Sequence, residues 1–274
     1  MTKTQVFVVV GFITLFVLLL FAKTIPSKAD YPEKEKPAIS VNTDWEQAQT
    51  DAISKLPALW RMKISGWRSD FDHANNSQKG MLLDSLTMAW DTLKRIDIAS
   101  YLVEKKARLL NQSVDWMKAG EQYYNSVSLV PAEARTEMYN GAIRCFQTVL
   151  VQSPKNLDAK AALGACYVEG TQDPMKGIGL LREVVLQDSS NLRAQLNLGF
   201  FSIRSGQFPK AIERFKKVLA INPSYIETHL YLAEAYEKQG DKGNAIAQLE
   251  AYAHKSSDKE IIKEVQNYIN KLKK

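Results

Sequence analysis

Residues 192–223 read LRAQLNLGFFSIRSGQFPKAIERFKKVLAINP, and this stretch decides the fold. Apolar residues recur in it at intervals of three and four, which predicts two helices. A turn at Gly206 separates the helices, because glycine tolerates the left-handed backbone that ends a helix. Gly199 and Ala211 are small where the two helices must approach closely. The stretch therefore predicts a helical hairpin that ends at Pro223, since proline cannot continue a helix.

The same hairpin pattern recurs about every 34 residues, the period of a two-helix repeat. Each copy has small residues where its helices meet and large apolar residues between them. Four copies in register are residues 113–156, 157–191, 192–225 and 226–259. The first copy carries an insertion between its helices, and we expect residues 125–131 to form a loop there.

The residues of these copies match a known signature. Trp116, Gly120 and Tyr123 lie in the first helix of the first copy, and Ala211 and Phe215 lie in the second helix of the third. The pattern resembles the tetratricopeptide repeat, which reads Trp-x2-Leu-Gly-x2-Tyr, then Ala-x3-Phe, then Pro. The resemblance implies an all-α solenoid of about four to five repeats, because one hairpin cannot bury its own apolar face and must stack on its neighbours.

Further segments flank the four copies. Residues 80–112 predict a degenerate repeat, which keeps the apolar spacing but lacks the glycine at its turn. The residues that keep this spacing are Leu86, Trp90, Ala99 and Val103. Residues 43–79 predict an N-terminal helical region, broken at Pro57 and Gly66, that is either a cap or half of a decayed repeat. Residues 260–274 predict a capping helix, apolar on one side and charged on the other.

The start of the chain predicts a transmembrane anchor over residues 1–22. Residues 6–22 carry no charge and lie between Lys3 and Lys23, and this length is at the short limit for a helix that crosses a bilayer. A cleaved signal peptide is the alternative, although the apolar core of such a peptide is usually shorter. Residues 23–42 mix prolines with charges and predict a semi-extended linker, because they cannot bury enough surface to fold.

The sequence gives opposing indications of the side of the membrane on which the repeats lie. More lysines follow the predicted anchor than precede it, which favours the cytoplasm, since basic flanks stay inside. A short N-terminal tail that stays inside, followed by a proline-rich stalk, favours the opposite side. We expect a single-pass membrane protein of a bacterial envelope, with its solenoid outside the cytoplasm, in the periplasm.

The sequence shows no constellation of catalytic residues. The three histidines, His73, His229 and His254, have no second ligand at helical metal spacing. No glycine-rich phosphate loop or nucleophile elbow occurs, and the net charge of +6 is spread along the chain. We therefore expect no enzyme, no cofactor, no metal and no nucleic-acid partner. Cys145 and Cys166 are predicted to be buried thiols rather than part of a disulfide scaffold.

Binding is the function that the pattern predicts. The resemblance implies that the first helix of each repeat lines a concave groove, on which peptides or helices lie. Residues 194–204 are apolar on more than one side, and such a helix is buried twice or faces a groove. The alternative is that the chain itself covers this strip, through residues 125–131 or the N-terminal helices. The predicted groove residues are Met117, Ala161, Ala165, Val168, Arg193, Leu196, Asn197, Phe200, Ile203, Arg204, Leu230 and Glu234.

These groove residues favour an apolar or amphipathic protein or peptide partner. Members of the family that bind C-terminal carboxylates use a clamp of Lys and Asn, and this chain has Met117, Ala161 and Leu196 at matching positions. We expect a membrane-anchored scaffold or adaptor that binds a protein partner through its groove. The alternatives are a chaperone-like holder of unfolded or exported chains and a cytoplasmic-facing adaptor.

Overall fold

The computed structural model describes residues 44–273 of the chain. These residues form thirteen α-helices and one short 3₁₀ helix, Val127–Leu129, and no strand occurs among them. The α-helices are α1 (Trp45–Ser54), α2 (Ala58–His73), α3 (Asn76–Thr92), α4 (Ile96–Leu110), α5 (Ser113–Ser126), α6 (Ala132–Gln152), α7 (Leu157–Gly170), α8 (Pro174–Gln187), α9 (Leu192–Arg204), α10 (Phe208–Ile221), α11 (Thr228–Gln239), α12 (Lys242–Lys255) and α13 (Lys259–Leu272).

From α3 onward the helices pack as consecutive pairs: α3 with α4, α5 with α6, α7 with α8, α9 with α10, and α11 with α12. The second helix of each pair also packs on the first helix of the next pair, and α13 packs on α12. We call the first helix of each pair the inner helix and the second the outer helix. Because each pair contacts mainly its neighbours, the helices form a tetratricopeptide-like solenoid.

In two repeats a glycine of the inner helix lies directly against a phenylalanine of the outer helix. A Cβ atom placed on Gly199 would lie 2.6 Å from Cε1 of Phe215, and one placed on Gly120 would lie 2.5 Å from Cε1 of Phe146. Both phenylalanines are fully buried. The two helices reach this separation only because glycine has no side chain.

The insertion in the first repeat lengthens a helix. α6 has 21 residues, whereas α8, α10 and α12 have 14 each. Residues 125–131, expected to form a loop, instead contain the last residues of α5 and the 3₁₀ helix. Val130, which follows the 3₁₀ helix, is buried in the core of this repeat. The loop prediction is therefore wrong for most of the segment, because its apolar residues continue the helical packing.

The N-terminal helices differ from a regular repeat. α1 packs on the outer helix α4, where Trp45 stacks on Tyr101 with 5.6 Å between the ring centroids. α2 packs on α1 and α3. The predicted break at Pro57 is present, since α2 begins directly after it, but Gly66 lies inside α2. The predicted break at Gly66 is wrong, because a glycine within a helix costs only about 1 kcal/mol and does not end it.

A buried carboxylate joins the degenerate repeat to the first full repeat. Glu104 of α4 is 1% exposed and accepts a hydrogen bond of 2.7 Å from the hydroxyl of Tyr123 on α5. Arg108 of α4 and Arg144 of α6 lie 2.6 and 3.4 Å from its two carboxylate oxygens. Burial and the nearby Glu104 hold the pKa of Tyr123 well above its usual value. The Tyr123 hydroxyl therefore stays protonated and keeps donating to Glu104.

The C-terminal helix α13 covers the last repeat. Val265 and Ile269 are buried against Leu249 and Tyr252 of α12. Tyr268 lies on the side of α13 that the sequence predicts to be apolar, but it is 42% exposed. The apolar side of α13 is therefore only partly buried against the last repeat.

No helix between residues 44 and 273 is both long enough and apolar enough to cross a bilayer. The predicted anchor, residues 1–22, and the predicted linker, residues 23–42, lie outside the described residues. Both stay predictions from the sequence.

We expect Gly199→Leu to lower the free energy of unfolding by about 1–3 kcal/mol or more, because the leucine would overpack against Phe215. Gly179→Leu on α8 is the matched control, since no atom lies within 4 Å of its Cβ position and leucine is a better helix former than glycine. Denaturant unfolding of both variants measures the difference. Equal stability of the two variants would show that the helix contact does not depend on Gly199.

Candidate partner-binding surface

The inner helices contact one another on one side of the stack. The ring of Phe200 on α9 lies 4.7 Å from the ring of Tyr231 on α11, measured between centroids. The hydroxyl of Tyr268 on α13 donates to Glu237 of α11 at 2.7 Å. We call this side, formed by the inner helices and α13, the inner face. Every predicted groove residue lies on an inner helix.

An ion pair closes the middle of the inner face. Nη2 of Arg193 on α9 lies 2.6 Å from Oε1 of Glu121 on α5, and the Arg193 guanidinium lies 6.0 Å from the centroid of the Tyr124 ring. α7 stands between α5 and α9 and contacts both, so this ion pair passes over α7. Ala161 and Ala165 of α7 are fully buried.

Three of the predicted groove residues are buried and do not form an open surface, and a fourth is half-buried. Ala161 and Ala165 are fully buried, and Val168 is 7% exposed and packs in the core between α7 and α8. Met117 of α5 is half-buried and packs on the core of the first repeat. The reason is the close approach of α5, α7 and α9, which small residues on α7 permit.

The open part of the predicted groove lies on α9 and α11. Leu196, Phe200, Ile203 and Leu230 are half-buried there, and we call them the apolar strip. The Phe200 ring lies 5.4 Å from the ring of the fully buried Phe215, so Phe200 belongs partly to the core. The hydrophobic cluster around the three α9 residues contains only residues of α9 to α12. Within residues 44–273, neither the N-terminal helices nor the insertion covers these residues.

The polar residues beside the apolar strip differ in how freely they can bind. Arg204 and Glu234 are exposed, and Oε1 of Glu234 lies 3.9 Å from Lys238 of the same helix. Asn197 is 8% exposed, and its side-chain amide donates to the carbonyl of Arg193 at 2.9 Å. Asn197 and Arg193 are thus engaged within the protein, whereas Arg204 and Glu234 are accessible to a partner.

A cavity that the sequence did not predict lies where the insertion meets the inner face. Tyr124 of α5 and Tyr139 of α6 both donate hydrogen bonds to Glu169 of α7, at 3.1 and 3.3 Å. Arg135 and Ser128 also line this cavity. Burial and the Glu169 carboxylate raise the pKa of Tyr139 to about 12, so its hydroxyl stays protonated at neutral pH.

The two cysteines are free and buried. Burial raises the pKa of Cys145 and of Cys166, so both stay as protonated thiols, which are poor nucleophiles. In the part of the chain that the structure describes, no group of His, Cys, Asp and Glu side chains could hold a metal ion.

Comparison with known proteins identifies the repeats. Residues 203–240 match the model of the TPR repeat, and residues 227–258 match a second model, the tetratricopeptide repeat. The chain carries tetratricopeptide repeats. A comparison with curated proteins gives no match.

Solved tetratricopeptide repeat proteins share the fold. One from Parabacteroides merdae has a TM-score of 0.55 at 14% identity, over 82% of this chain and 84% of that chain. A thermophilic one from Thermus thermophilus has a TM-score of 0.51 at 17% identity, over 70% of this chain and 98% of that chain. At these identities the similarity shows the fold alone.

Proposed function

We propose that this tetratricopeptide repeat protein is a non-catalytic scaffold that binds a segment of a partner protein on its inner face. The apolar strip of Leu196, Phe200, Ile203 and Leu230 is the observation that carries this proposal. These side chains are half-buried, so part of their apolar surface still faces water. A partner's apolar side chain would remove that surface from water, which contributes roughly 25 cal/mol per Å².

The neighbours of the apolar strip support a bound segment of limited length. The Arg193–Glu121 ion pair stands beside the strip and closes the inner face over α7. A partner segment that follows the strip therefore ends or turns at this ion pair. Arg204 and Glu234, which are exposed, offer one cation and one carboxylate to fix the register of the segment.

We further propose that residues 6–22 hold this scaffold at a membrane, with residues 23–42 as a spacer and the solenoid in the periplasm. The uncharged run between Lys3 and Lys23 supports this part of the proposal. A tether of this kind raises the local concentration of the scaffold near a partner in the same membrane.

Intact-mass analysis of the mature protein tests the tether. We expect the N-terminal residues to be present, because the apolar run is longer than the core of a typical signal peptide. A mass that begins near Lys23 would show that the segment is cleaved and that the tether does not exist.

Replacing Phe200 and Ile203 with Gln in the full chain tests the binding proposal. We expect proximity labelling in the native membrane to lose the partner, because the variant removes apolar contacts from the strip. The control is Leu186→Gln on the outer helix α8, where Leu186 is 85% exposed, and it should label as the parent does. Unchanged labelling by the double variant would contradict the proposal.

Thermal unfolding of the same double variant separates a binding role from a core role. Phe215→Ala is the comparison, because Phe215 is fully buried and its truncation should cost about 3–5 kcal/mol. We expect a smaller loss for the double variant, since both side chains are half-buried rather than fully buried. A loss as large as that of Phe215→Ala would place Phe200 in the core.

In the proximity-labelling experiment, labelling of many weak clients instead of one partner would favour a chaperone-like holder.

A further inference from the structure

The first inner helix, α3, presents a pair of methionines beside a pair of aspartates. Met81 and Met88 are seven residues apart, and so are Asp84 and Asp91. Residues seven apart lie on the same side of a helix, about two turns along it. Met81 and Met88 are 62% and 71% exposed. Met81 and Met88 therefore form an exposed apolar stripe on the side of α3 opposite its buried residues, and Asp84 and Asp91 form an acidic stripe beside it.

The preceding helix also carries large exposed apolar residues. Leu59 and Met62 of α2 are 56% and 68% exposed. Asp70 of α2 and Met81 of α3 line the same cavity between the two helices. Leu59 lies on the same side of α2 as Asp70, about three helical turns before it. We call Leu59, Met62, Met81 and Met88 the methionine face.

Packing within the protein does not account for the methionine face. The core of this hairpin is made by other residues, among them Ile64, Leu83 and Trp90, which are fully or almost fully buried. Single exposed apolar residues are ordinary on a protein surface, but four large ones on one helical hairpin indicate a binding surface. Methionine is flexible and polarisable, so such a surface adapts to apolar side chains of different shape.

Carboxylates flank the methionine face on both helices. Asp84 is paired with Lys106 at 2.6 Å. Asp70 makes no ion pair within residues 44–273. Burial raises the pKa of Asp91, and the nearby Lys94 partly opposes this effect. Two cations of this hairpin are engaged away from these carboxylates. Arg68 lies 3.4 Å from Glu46 of α1, and Lys79 lies 5.3 Å from the centroid of the Phe71 ring.

We propose that the methionine face binds a basic amphipathic helix of a partner protein. Its apolar residues would lie on Met81 and Met88, and its lysines or arginines would pair with Asp70 and Asp91. This is the helix-in-groove mode of recognition, in which apolar anchors recur at helical spacing. The site is separate from the apolar strip, because the Arg193–Glu121 ion pair closes the inner face between them.

A designed helical peptide with leucines on one side and lysines on the other is the probe for this site. Titration calorimetry with the full chain in detergent micelles should detect its binding, and affinity should fall as salt is raised, because the flanking contacts are ionic. A second peptide, with Glu in place of every Lys, should bind at least about tenfold more weakly, since it meets like charges. Equal binding of the two peptides, or no binding of the lysine peptide, would overturn the proposal.

Substitutions on the methionine face test whether the lysine peptide binds there. Met81→Gln with Met88→Gln should weaken binding of the lysine peptide about tenfold or more, because both apolar anchors are lost. Both side chains are largely exposed, so the fold should survive, and Leu186→Gln on the outer helix should bind the peptide as the parent does. Loss of binding with Leu186→Gln, or full binding with the double variant, would contradict the site.

The variant with Phe200 and Ile203 replaced by Gln distinguishes peptide binding at the methionine face from partner binding at the apolar strip, on which the proposed function rests. It should bind the lysine peptide as the parent does, even where it no longer captures its partner. Loss of peptide binding in that variant would place the peptide on the apolar strip and overturn the methionine face as its site. A peptide-dependent increase in particle size, seen by light scattering as association of two copies of this chain, would also overturn it.

Discussion

The close contact between each inner helix and its outer helix determines which side of the inner helix is buried and which side stays available for binding. At Gly199 and Gly120 the absence of a side chain lets a buried phenylalanine of the outer helix lie against the inner helix. This contact fixes how far the pair can open, and therefore which side of the inner helix stays available. Phe200, the residue after Gly199, then reaches Tyr231 of the next inner helix. The apolar strip is thus a consequence of hairpin packing.

Departures from the repeat pattern divide the inner face. Ala161 and Ala165 give α7 a shallow surface, and the Arg193–Glu121 ion pair closes over it. Toward the C-terminus the apolar strip stays partly open, and toward the N-terminus the methionine face is exposed. Glu104, buried between the degenerate repeat and the first full one, ties these parts into one stack. The regular repeats therefore carry the apolar strip, whereas the irregular N-terminal part of the stack carries the methionine face.

The period and the turn glycine were sufficient to predict the architecture, because both act locally. Gly206 has a φ of +71° at the predicted turn, and the helices from α3 onward pack as the predicted solenoid. The closure of the groove could not be predicted, because it depends on Glu121 and Arg193, which are 72 residues apart. The lengthened α6 was also missed, since a short apolar segment reads equally well as a loop or as packed helix. The spacing of Met81 and Met88 is visible in the sequence, but it does not tell exposed residues from core residues.

Photo-crosslinking in cells that produce the full chain tests most directly whether a partner protein binds on the inner face. A photoreactive residue in place of Ile203, on the apolar strip, should form one predominant adduct with a single protein. The same residue in place of Leu186, which is 85% exposed on the outer helix α8, should form none of that adduct. The same adduct at both positions, or an adduct only at position 186, would contradict the account.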